Sequence, residues 1–141
     1  MKHRFFKKQL TVIFLSLLTL SFFSFTKSLA VYSSTGHLLI SEIQIAGTGG
    51  VNEDFIEIYN PTGSGVDLNG YRLVKRTANG TSDSSIKSWS GETVIPPGSY
   101  YLWANNSWVP SVTPDTTTAS TLAADNGIAL RQGPLDTGTI I

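Results

Sequence analysis

The sequence predicts an all-β domain, a sandwich or a barrel, on two observations. All thirteen glycines and all six prolines lie after residue 30, at intervals of about ten residues. Between them stand apolar runs of four to eight residues, rich in β-branched and aromatic types and too short for a packed helix. At 141 residues the chain has room for one modest domain, and 40% hydrophobic against 14% charged residues excludes a disordered polyelectrolyte.

Residues 38–45 start apolar and then alternate, which puts Ser41, Ile43 and Ile45 on one face and Glu42 and Gln44 on the other. Residues 55–60 form the next strand, stopped by Pro61. The third, residues 66–68, is interrupted by Asn69-Gly70 and resumes over 71–75; Asn-Gly accepts positive φ and marks a tight turn or a bulge. Asn79-Gly80 and Asn126-Gly127 repeat that signal. Brief strands are expected over 86–89 and 93–95. Pro96-Pro97-Gly98 then makes a rigid turn, because Pro97 presets φ and Gly98 tolerates a left-handed corner. In the strand that follows, residues 100–104, both alternation phases are apolar, so the connection over 105–120 is expected to cover one face with Trp108 as its plug. Residues 127–131 alternate with Ile128 and Leu130 inward, and 135–141 read as a turn into a strand that stops almost as soon as it starts.

The first thirty residues have a different character. Residues 1–8 hold Lys2, Arg4, Lys7 and Lys8 and no acid, residues 10–25 are apolar apart from Ser and Thr, and Ser28-Leu29-Ala30 offers small-x-small to a signal peptidase. The expectation is a helical signal peptide over 1–30, cut between Ala30 and Val31, then a leader over 31–37 and the sandwich over 38–141. An apolar run of sixteen residues falls short of the roughly 20 that span hydrocarbon, so an uncut N-terminal anchor is the alternative, and no membrane span remains after cleavage. Residues 31–141 carry five basic against ten acidic side chains, a net −5, which argues against nucleic acid as the primary ligand. The chain has no cysteine, so packing and backbone pairing must hold an exported domain together.

Four ordered motifs carry a family resemblance. Ile40-Ser41-Glu42-Ile43, the stretch from Asp54 through Asn60-Pro61, the stretch from Val66 through Asn69-Gly70 to Leu73, and Ile95-Pro96-Pro97-Gly98-Ser99-Tyr100 together resemble the lamin tail domain of the bacterial exported type. The segment from Asp125 to Leu130 is similar to that family's penultimate strand region. The resemblance implies an immunoglobulin-like β-sandwich without catalytic activity. Against that pattern there is no coiled-coil rod, and the closing strand is cut at Ile141, which predicts continuation of the chain or, if it is complete, a strand-swapped oligomer.

Glu42 and Glu57 are a carboxylate pair of the kind a glycoside hydrolase uses, but they belong to the fold motifs and no cleft is implied, so no catalytic residue is assigned. Asn52, Glu53 and Asp54 after the loop over 47–50, and Asp125 with Asn126, offer oxygens to calcium; no spaced Asp-x-Asx-x-Asx-Gly loop accompanies them, so no metal or cofactor is expected. His3 and His37 without cysteine do not make a zinc site, and no nucleophile elbow or phosphate loop is present. Asn79-Gly80-Thr81 and Asn105-Asn106-Ser107 match the glycosylation acceptor pattern and are discounted for a bacterial chain. Trp89, Trp103, Trp108, Tyr100 and Tyr101 form an aromatic group around the Pro-Pro-Gly turn. Its first reading is core, and its second a partner-contact surface, for which Trp103, Trp108 and Tyr101 are the candidates.

The function expected from the sequence is a non-catalytic binding or structural module, secreted or at the cell surface, that recognises a protein or envelope component through the loops over 46–53, 77–85 and 105–120. The alternatives are an accessory domain of a larger secreted hydrolase and a glycan-binding module, the latter needing two exposed, coplanar aromatics.

Overall fold

The computed structural model describes residues 36–108 and 112–141. The expected signal peptide, the expected cut between Ala30 and Val31 and most of the expected leader lie outside the described residues. Ten strands run β1 (Leu39–Gln44), β2 (Phe55–Tyr59), β3 (Val66–Asp67), β4 (Tyr71–Thr77), β5 (Ser84–Ser88), β6 (Val94–Ile95), β7 (Tyr100–Asn105), β8 (Thr116–Thr118), β9 (Asn126–Gln132) and β10 (Thr139–Ile140). They form a first sheet in the order β1-β2-β7-β8, a second in the order β10-β9-β4-β5, and a small pair β3-β6. Among the described residues there is no helix, and hence none long and apolar enough to cross a membrane.

The core follows from strand alternation. Ile56, Ile58 and Trp103 of the first sheet join Leu73, Ile86 and Leu130 of the second in one cluster, which Leu38, Leu68, Trp89, Ile95 and Leu122 complete. Each aliphatic side chain taken fully out of water contributes about 1.5–3 kcal/mol before entropy is charged against it.

Three differences from the sequence reading concern the split of residues 66–75, the register of β1 and the connection over 105–120. The strand read as interrupted at Asn69-Gly70 is two strands in different sheets: β3 pairs with β6, while β4 pairs with β5 and β9. Gly70 turns the corner at φ +83°, and Asp67 Oδ1 caps it by accepting from the backbone N–H groups of Asn69 and Thr93 at 3.0 and 2.9 Å. In β1 the register slips by one residue between Ile40 and Glu42, so Ser41 is a bulge rather than a face-mate of Ile43. Ile40 and Ile43 therefore both oppose core residues, Ile58 and Ile56, yet Ile43 stays 42% exposed, and so does Ile45 past the strand end. The connection over 105–120 contains β8, which lies parallel to β7 with Trp103 opposite Thr116. The closing strand β10 pairs Thr139 with Gln132 and Ile140 with Arg131, and the Ile141 N–H donates to Leu130 C=O at 3.0 Å while its side chain packs on the core.

Asn60 locks the Pro-Pro-Gly turn onto β2. Its fully buried amide donates to the carbonyls of Ser64, Ile95 and Pro96 at 2.8, 2.8 and 3.2 Å, and its Oδ1 accepts from Thr62 N–H and Oγ1 at 3.0 and 2.7 Å. Gly98, at φ +67°, donates its N–H to Asn60 C=O at 2.8 Å. Asn105 does the same work across the sheet, its amide donating to Ser120 C=O at 2.7 Å, so this buried side chain is not an available glycan acceptor.

Candidate functional site

The outer face of the first sheet is built by residues of one alternation phase. In β2, Ile56 and Ile58 are buried, so Phe55, Glu57 and Tyr59 point outward and are half-buried. Antiparallel register then sets three rows across β1, β2 and β7: Leu39, Tyr59 and Tyr100; Glu42, Glu57 and Leu102; Gln44, Phe55 and Ala104. Tyr59 and Tyr100 stack with ring centroids 4.7 Å apart and planes at 28°, and Tyr100 is 57% exposed. At the other end Trp108 lies against Phe55, 5.6 Å between centroids at 43°. The acidic row sits between the two aromatic pairs. The Ser41 bulge brings its hydroxyl to Glu57 Oε1, donating at 2.6 Å, whereas Glu42 has no hydrogen-bond or ion-pair partner among the described residues.

Charge is segregated between the sheets. The five lysines and arginines of the described residues, Arg72, Lys75, Arg76, Lys87 and Arg131, all lie on β4, β5 and β9 of the second sheet, and the first sheet has none. There, Asp83 is clamped between two guanidiniums: its Oδ1 is 2.6 Å from Arg76 Nε and its Oδ2 is 2.6 Å from Arg131 Nε, with 4% of the carboxylate side chain exposed. Asp136 Oδ1 accepts from the Asp83 N–H at 2.6 Å and stands 3.7 Å from Arg76 Nη2. Burial alone would raise the Asp83 carboxyl, but the hydrogen bonds and charges of Arg76 and Arg131 outweigh it and hold it below its ordinary value of 3.8. This network joins residues 48 apart in sequence and has no local signature; only the pairing of β4 with β9 brings Arg76 and Arg131 to one carboxylate.

The three candidate contact residues separate. Trp103 opposes Ile56 and is 0% exposed, its Nε1–H donating to Thr118 Oγ1 at 3.1 Å. Tyr101 opposes Ile58 and packs inward, edge to face with Trp89 at 5.7 Å, its hydroxyl accepting from Trp89 Nε1–H at 3.3 Å. Both belong to the core phase of β7, which corrects their reading as contacts; Trp108 alone of the three lies on the exterior face. Sequence reasoning read Tyr59 only as part of the strand over 55–60, and it placed Tyr100 in the aromatic group without choosing it as a contact, because both phases of β7 are apolar and alternation could not say which of Tyr100 and Tyr101 faces out. Of the five aromatics read as a sugar platform only Tyr100 is exposed, so they do not supply the two exposed rings such a platform requires.

Of the calcium candidates, Glu53, Asp54 and Asn126 accept from backbone N–H groups, and Asp125 Oδ1 accepts from the Asn126 amide at 3.2 Å. Asp54 is fully buried, its Oδ1 accepting from Ala46 N–H at 3.0 Å and its Oδ2 from Leu122 N–H at 2.6 Å. Glu53 Oε2 accepts from Gly49 N–H at 2.7 Å. Among the described residues no three His, Cys, Asp or Glu side chains converge. Glu42 and Glu57 face each other across β1 and β2, in the row between the two aromatic pairs.

A family model described as Lamin Tail Domain matches residues 32–139, nearly the whole of the strand-bearing chain. That is a family of non-enzymatic, immunoglobulin-like domains. A search of curated proteins finds none that matches.

Proposed function

We propose that this chain, which belongs to the lamin tail domain family, is a non-catalytic binding or structural module of an exported or cell-surface bacterial protein and acts by surface recognition of a protein or envelope component. The observation that carries the reading is the contrast in how polar groups are used. Asp54, Asn60, Asp83 and Asn105 are consumed by structural hydrogen bonds, whereas the outer face of the first sheet keeps half-buried aromatics and an unpaired carboxylate. Export is supported by the basic, apolar and small-residue order of residues 1–30.

A photoreactive phenylalanine analogue at Tyr100, in the full chain within producing cells, should form a discrete adduct, and the same analogue at exposed Ser85 of the second sheet should not. Equal labelling at both positions, or none at Tyr100, would end this reading. Fractionation with N-terminal sequencing tests export: a chain starting at Val31 outside the cytoplasm is expected, and a cytoplasmic chain retaining Met1 overturns it.

A further inference from the structure

We infer that the outer face of the first sheet seats an arginine side chain of a basic protein segment, its guanidinium over Glu42 and Glu57 and between the Tyr59–Tyr100 and Phe55–Trp108 pairs. This rests on the reading of that face as the recognition surface and adds the chemistry of what it recognises.

The first argument is charge. Glu42 and Glu57 are direct cross-strand partners, and like charges in that relation destabilise a sheet. The other facing like-charge pair, Arg72 opposite Arg131, is partnered within the chain: Arg131 is ion-paired with Asp83 and its Nη1 donates to Gly138 C=O at 2.6 Å, and Arg72 Nε donates to Gly133 C=O at 3.0 Å. The acidic pair has only the Ser41 hydroxyl on Glu57, and the described residues put no cation anywhere on its sheet. The complement of the face is therefore a cation from outside. Nucleic acid and anionic lipid carry the wrong sign.

The second argument is shape. Alternate residues on one face of a strand are about 7 Å apart, so Glu57 stands one such step from Phe55 on one side and from Tyr59 on the other. A flat group lying at van der Waals distance, about 3.5–4 Å, from either ring pair can still reach the carboxylates. Guanidinium fits that description: it is planar, donates in a fork to carboxylates, stacks on aromatic faces and is weakly hydrated. An ammonium is compact and strongly hydrated, and uses the flanking rings less well. Phe55, Tyr59 and Trp108 are half-buried, as Glu57 is, so a charge-assisted bond at Glu57 forms in a lower effective dielectric than open water and is the stronger for it.

The test titrates the full chain with an acetylated, amidated Leu-Arg-Leu-Arg-Leu peptide, its lysine counterpart and its neutral citrulline counterpart, read by amide chemical shifts. Saturable shifts confined to residues 39–44, 55–59, 100–104 and Trp108, the strands and the ring that line the seat, are expected with the arginine peptide. Binding should weaken about tenfold with citrulline and in Glu57→Gln, in line with loss of a charge-assisted hydrogen bond. It should weaken in Glu42→Gln and Tyr100→Ala as well, fall with added salt, and be unchanged in the exposed Glu92→Gln. Equal binding of the lysine peptide overturns the guanidinium assignment. Equal binding of the citrulline peptide, no effect of either glutamine variant, or no saturable shift overturns the inference as a whole. In each of those cases an adduct at Tyr100 but not at Ser85 would leave the recognition face standing, whereas loss of the adduct removes both.

Discussion

The two sheets of this sandwich handle the same electrostatic problem in opposite ways. Each places two like charges directly opposite each other on its outer face, Arg72 with Arg131 in the second sheet and Glu42 with Glu57 in the first. The second sheet answers with Asp83, Asp136 and the carbonyls of Gly133 and Gly138, so its charges are spent on holding the fold. The first sheet answers with one serine hydroxyl and leaves the rest open. Charge used for stability carries its counter-ion in the same chain; charge left uncompensated on a half-buried aromatic face is available for something else.

The largest effect that would break this contrast is expected at Asp83. Asp83→Ala leaves two guanidiniums without their carboxylate, one of them with only 11% of its side chain exposed, and should cost about 3 kcal/mol in denaturant unfolding. A loss no greater than that of an exposed substitution would mean that the second sheet does not use its charges as argued. Asn60→Ala serves as the uncharged reference, since it removes a buried amide with five hydrogen bonds at the end of the first sheet. About 2 kcal/mol is expected from the carbonyls left unpaired.

The pH dependence sharpens the comparison further. Because the Asp83 carboxyl is held below 3.8, the unfolded chain takes up that proton first as the pH falls. The contribution of Asp83 is thus complete above 3.8 and lost as the pH drops through the lower folded value. The stability difference between the wild-type chain and Asp83→Asn should be flat near neutrality and shrink in acid; a difference that grew in acid would refute the assignment. The smallest expected effect has the opposite sign: Glu42→Gln relieves the facing carboxylates and should stabilise by about 0.5 kcal/mol at low salt, less at high salt. If it destabilises instead, the acidic row has an intramolecular role.

Much of the fold was legible from residues 38 to 141 because its signals are local. Pro96-Pro97-Gly98 and Asn69-Gly70 marked corners that Gly98 and Gly70 turn with positive φ, and the β-branched and aromatic run over 55–60, stopped by Pro61, marked β2. The site was less legible. Trp103 and Tyr101 pass for surface aromatics as easily as Tyr100 does, since nothing within a strand that is apolar in both phases says which side faces the other sheet. A single inserted residue, Ser41, reset the register of β1 and brought Glu42 opposite Glu57.

By itself, then, the sequence determined the all-β class, the place of most strands along the chain, the turn chemistry between them and the family, because these are written in patterns a few residues long. Only the tertiary structure decided which face of β7 is core, that residues 66–75 divide between two sheets, and that every cation of the described residues lies on one sheet while an acidic row is left bare on the other. Those outcomes depend on pairings between strands tens of residues apart, and the energy that selects them exists only once both partners are in place.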